Sequence, residues 1–136
     1  MIGLDTHVLI WAVQDDPKLG KTAKALIEAE ALDSEVLIPA ICAWEVALVV
    51  AREQVDLGCD TTGWMRQVQN GPGYRLVALE PDIAVASVEM AWLHKDPADR
   101  MIVATAQHWG VPVMTADRKI LGYAEAGHVL AIDARR

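Results

Sequence analysis

Four acidic residues, Asp5, Glu45, Asp99 and Asp117, fall where a chain of alternating strands and helices would gather them. Carboxylates that converge within about 5 Å repel by roughly 3 kcal/mol per pair at an effective dielectric of about 20. That exceeds the ~1 kcal/mol a helix cap contributes. Such a cluster persists only if cations occupy it or some members take up protons. All-oxygen donors select hard ions, so Mg²⁺ or Mn²⁺ is the expected cofactor, not zinc.

Each acid also has a plainer reading. Asp5 and Asp117 each precede a short helix and suit an N-cap, whose oxygen accepts from an orphan N–H of the first turn. Glu45 sits in an almost wholly apolar helix, among Ile41, Leu48 and Val49. It needs a metal or an ion pair from another element to offset desolvation. In Asp96-Pro97-Ala98-Asp99-Arg100, Asp96 suits the N-cap, Pro97 N1 and Asp99 N3. The four histidines, His7, His94, His108 and His128, form no paired metal spacing. His94 reads as a surface or helix-end residue, with substrate contact as the alternative.

The elements that position these residues alternate. Strands are expected at Ile2–Leu4, Val36–Ile38, Tyr74–Leu79, Val111–Thr115 and Val129–Ile132. Helices are expected at His7–Val13, Lys18–Ala31, Ala40–Arg52, Thr61–Gln69, Asp82–Leu93 and Pro97–Trp109, with a short one after Asp117. Gly110 suits the C′ position of the sixth helix. Short strands alternating with helices imply βαβ units and a parallel sheet, whose ligands bind beyond the carboxyl ends of the strands.

A chain of 136 residues that is 53% hydrophobic builds one domain, expected to span 1–136. Its net charge of −7 argues against nucleic-acid binding by bulk electrostatics, though not against an enzyme whose metal ions meet the phosphate. The same charge suits a basic protein partner. Cys42 and Cys59 lack CxxC spacing, and a reducing cytoplasm is the expected compartment. No signal peptide is expected, because Asp5 interrupts the first apolar run. Pro39 and Glu45 break the apolar run from Val36 to Ala51, so no membrane span is expected. The five tryptophans read as core or dimer packing.

Four segments together resemble the PIN-domain family, and specifically the VapC-type toxins of VapBC toxin–antitoxin pairs. They are Gly3-Leu4-Asp5-Thr6-His7, Ala43-Trp44-Glu45-Val46-Ala47, the block from His94 to Ala106, and Thr115-Ala116-Asp117. The resemblance implies a PIN-like three-layer α/β/α sandwich around a short, mainly parallel sheet of about five strands. It implies a metal-dependent ribonuclease using Asp5, Glu45, Asp99 and Asp117. Thr6, Asp96 and Thr115 would be accessory, and Arg100 would bind RNA phosphate or support the site. It further implies an RNA substrate, a cognate antitoxin and a homodimer. The alternatives are a PIN-like module that binds RNA or protein without cutting, and a magnesium-dependent phosphohydrolase of another family.

Overall fold

The computed structural model describes residues 1–92 and 94–136. Five three- or four-residue strands, all paired in parallel, form one sheet: β1 Ile2–Leu4, β2 Val36–Pro39, β3 Tyr74–Val77, β4 Val113–Thr115 and β5 Ala131–Asp133. Their order is β3-β2-β1-β4-β5. Helices connect every pair of successive strands: α1 Thr6–Val13 and α2 Lys21–Asp33, α3 Ile41–Ala51 and α4 Thr61–Gln69, α5 Pro81–Glu89 and α6 Pro97–Trp109, and α7 Arg118–Glu125. The architecture is an α/β/α sandwich, as the alternation of elements requires.

β1, β2 and β4 are buried at every residue, because helices cover the sheet and leave no strand face for water. Leu4, Leu37, Ile38, Ile102, Met114 and Ile120 are among the largest fully buried side chains. Strand order reverses at β1. The chain goes from β1 to β2 on one side and returns to β4 on the other. The crevice beyond the carboxyl ends of β1 and β4 is therefore the topological switch point, where such sheets bind ligands.

Several boundaries differ from expectation for local reasons. α2 begins at Lys21 rather than Lys18, because Asp16 Oδ1 accepts from Lys18 N in a turn that runs to the Gly20 cap. β3 stops at Val77 rather than Leu79, where pairing with β2 ends at Pro39. β4 starts at Val113 rather than Val111, and β5 covers Ala131–Asp133 rather than Val129–Ile132, set by pairing from Val113↔Ala131 to Thr115↔Asp133. α5 closes at Glu89. Leu93, its expected last residue, lies outside the described residues. α6 ends as expected, with Gly110 in the left-handed conformation at φ 65°.

Gly73 holds the turn into β3 at φ +80°, and a Cβ there would collide with the backbone of Ala31. Its carbonyl also receives the N–H of Val36, 2.8 Å away, so the turn aligns β2 with β3. The variant Gly73→Ala is expected to lose about 2–4 kcal/mol of stability through strain and backbone displacement. Chemical denaturation would read this as a lower midpoint.

Candidate metal centre

Asp5, Asp96 and Asp117 each have extended backbone and cap the helix that follows. Asp5 Oδ1 accepts from Thr6 N at 2.7 Å, at the start of α1. Asp96 Oδ1 accepts from Ala98 N at 3.0 Å and Asp99 N at 3.4 Å, at the start of α6. Asp117 Oδ1 accepts from Lys119 N at 2.7 Å and Ile120 N at 3.4 Å, at the start of α7. Capping and site-building therefore coincide. Three helix N-termini, each carrying partial positive charge, meet at one crevice.

Asp5, Glu45, Asp96, Asp99 and Asp117 line a cleft of about 300 Å³. One carboxylate oxygen from each of Asp5, Glu45 and Asp99 lies within 4.8 Å of the other two. Asp117 lines the cleft from α7 without joining that tightest triad. Asp5 and Asp99 are buried, and Glu45 is half-buried.

Hydroxyls rather than cations hold the acids. Thr115 Oγ1 donates to Asp5 Oδ2 at 2.6 Å and accepts from Asp117 N at 3.0 Å, tying β4 to β1 across the crevice. Thr6 Oγ1 donates to Glu45 Oε1 at 2.5 Å. Among the described residues, no lysine or arginine pairs with Asp5, Glu45 or Asp99. Glu45 thus lacks the structural ion pair that would have explained it otherwise.

Burial raises the Asp5, Glu45 and Asp99 carboxyls above the ordinary range. Nearby negative charge adds to this: Asp117 acts on Asp5, Asp5 and Asp96 on Glu45, and Asp5, Asp96 and Asp117 on Asp99. Asp99 reaches about 7 although its hydrogen bond to His94 lowers it. A set of hard oxygen donors, crowded and short of cations, fits a divalent ion such as Mg²⁺ or Mn²⁺.

The sequence reading missed His94 as a site residue. Its Nε2 lies 2.6 Å from Asp99 Oδ2, with the ring almost covered, and His94, Asp96 and Asp99 form a second group of potential ligands. The signal was the i, i+2, i+5 spacing around Asp96, which the turn into α6 folds into one place. His7 and Trp11 of α1 also line the acid cleft.

Of the two readings of Arg100, its contacts favour support of the site. Its Nε donates to Ser87 O, one terminal nitrogen to Trp92 O and His94 O, and the other to Val88 O and Met90 O. All five N–H donors of a guanidinium are then engaged, and none is left for RNA phosphate. Arg100 instead satisfies carbonyls at the end of α5 and fixes the segment that carries His94.

The PIN domain family model matches residues 2–126. The chain is 30% identical over 118 residues to Ribonuclease VapC22 of Mycobacterium tuberculosis (strain ATCC 25618 / H37Rv), covering 86% of this chain and 87% of that protein. Its fold is similar to that of VapBC2 from Rickettsia felis bound to a promoter DNA fragment, with TM-score 0.70, 13% identity and coverage of 97% and 98%. It is also similar to a toxin–antitoxin complex from Klebsiella pneumoniae, with TM-score 0.64, 20% identity and coverage of 98% of each chain. The chain belongs to the PIN-domain family and is of its VapC type.

Substitutions at Asp99 and Arg100 test this geometry. The folded state holds the Asp99 proton up to about pH 7, whereas the unfolded chain releases it near pH 4. Without metal, stability therefore falls as pH rises through that window. Asp99→Asn removes this penalty and is expected to stabilise the metal-free protein at pH 8 by about 1–3 kcal/mol. The same variant should weaken Mn²⁺ binding at least tenfold, read by calorimetry. Arg100→Lys supplies three donors on a single nitrogen in place of a five-donor fork. It is expected to cost about 2–4 kcal/mol in urea denaturation, by leaving carbonyls unpaired.

Proposed function

We propose that this protein is a metal-dependent endoribonuclease, the toxin of a toxin–antitoxin pair. The observation that carries the reading is the convergence of Asp5, Glu45 and Asp99 oxygens within 4.8 Å, with no lysine or arginine paired to them among the described residues. The relative named as a ribonuclease supports the substrate class. The similar toxin–antitoxin complex supports a cognate antitoxin as partner.

Asp5, Glu45 and Asp99 would hold Mg²⁺ or Mn²⁺, with Asp117 at the edge of the cleft. The bound ion would supply Lewis-acid neutralisation of phosphate charge and make water a better nucleophile at neutral pH. Thr115 and Thr6 fix the Asp5 and Glu45 carboxylates, so little reorganisation is needed when the ion enters. His94 orients Asp99. A carboxylate of the cluster takes the proton from the attacking water. The water oxygen bonds to phosphorus in line with the P–O3′ bond. That bond breaks, the 3′ oxygen gains a proton, and the products are a 5′-phosphate and a 3′-hydroxyl.

The partners in this reading are single-stranded or looped RNA, the antitoxin and a second copy of the chain, in a reducing cytoplasm. Trp44, 57% exposed beside Glu45 on α3, and Val85 and Val88, exposed on α5, offer apolar surface for the protein partners. No described helix is long and apolar enough to cross a membrane.

The test is cleavage of end-labelled total RNA by antitoxin-free protein, with Mg²⁺ or Mn²⁺, with EDTA, and with Asp5→Asn and Asp99→Asn. Discrete cuts that need metal and drop at least a hundredfold in both variants are expected. Folded, metal-bound protein that leaves all RNA intact would contradict the reading and favour a binding module.

A further inference from the structure

Beside the acid cleft runs a second, larger groove of about 910 Å³, whose lining includes Trp92, Tyr123, His128, Lys95, Lys119 and Asp96. Asp96 lines both, so the two adjoin at that residue. The aromatic rings form a column. The Trp92 and Tyr123 rings stack at 4.6 Å and 21°, and Tyr123 and His128 stack at 4.5 Å and 17°. At its inner end, the edge of His94 meets Trp92 at 4.8 Å. The column thus starts at the histidine that holds Asp99 and ends at exposed His128.

Both ends of the column are held from outside it. Gln107 Nε2 of α6 donates to His128 O at 2.9 Å, and Arg100 binds the carbonyl of Trp92 at 2.6 Å. The two lysines of the groove are exposed, and among the described residues neither makes an ion pair. In a chain of net charge −7, two cations without an ion pair among the described residues, beside an aromatic column, suit a polyanion with flat bases. Stacking faces plus ammonium groups are what sequence-tolerant single-strand binding uses.

We infer that this groove is a subsite for single-stranded RNA flanking the cut. An unpaired base stacks on His128 at the exposed end of the column, while Lys95 and Lys119 hold the adjoining phosphates. Duplex RNA is refused, because its bases are already stacked and paired. The inference rests on the ribonuclease reading for the identity of the strand.

The test is fluorescence anisotropy of a labelled single-stranded RNA hexamer bound to the full chain in EDTA, where metal-dependent cutting is suppressed. A salt series is recorded, together with KM for cleavage in Mn²⁺. The Lys95→Ala/Lys119→Ala double variant is expected to weaken binding at least tenfold. Its slope of log Kd against log salt should fall by about 1.4, since each phosphate contact on a single strand contributes about 0.7. His128→Ala should weaken binding fivefold or more with the slope unchanged, whereas Lys24→Ala, remote and paired with Asp15, should match the parent. Unchanged Kd, slope and KM in the double variant, with RNA still cut, would overturn the subsite and leave the ribonuclease reading standing. RNA bound through these residues but never cut in metal would support the subsite and remove the ribonuclease reading.

Discussion

The burial of carboxylates that also repel one another is the constraint around which this chain is arranged. Asp5, Glu45 and Asp99 are brought together by β1, α3 and α6, and solvent cannot screen them well. The fold supplies three partial offsets: the N-termini of α1, α6 and α7, the hydroxyls of Thr6 and Thr115, and His94 against Asp99. Each favours charge on a carboxylate without adding a full fixed positive charge at the triad. Burial above all, with the repulsion that remains, raises Asp99 to about 7. A cluster poised in this way is one that a divalent cation would relieve.

Arg100 shows how support reaches the site from outside it. Its guanidinium binds five carbonyls spread from Ser87 to His94. That bundle closes the end of α5 and holds the backbone of Trp92 and His94. The fixed segment places His94 on Asp99 and Trp92 on Tyr123. One side chain therefore stands behind both the acid cluster and the aromatic column, although its guanidinium bonds only to carbonyls.

Much of this was legible in the residues. Ile2-Gly3-Leu4 before Asp5 and Val113-Met114-Thr115 before Asp117 announced buried strands with acids at their carboxyl ends, and the parallel sheet carried both to the switch point. Glu45 stood out because an apolar helix gives no reason for an acid. Asp96 and Asp99 took the N-cap and N3 positions that Pro97 implied. The rest depended on contacts between segments. The early end of α5 is set by a guanidinium more than ten residues from its first partner, so no local propensity records it. His94 looked like an ordinary helix-flanking residue, because i, i+2, i+5 spacing has meaning only after the chain turns at Asp96. The Trp92–Tyr123–His128 column joins α7 to a distant loop, and periodicity along the chain does not register it.

The most direct test of the central claim is to follow the Asp99 carboxyl by carbon-13 NMR across pH, with and without Mg²⁺. A midpoint near 7 without metal, moving down by at least one unit as Mg²⁺ is added, is the predicted result. A midpoint near 4, the ordinary aspartate value, unmoved by Mg²⁺, would mean that these acids neither crowd one another nor hold a cation.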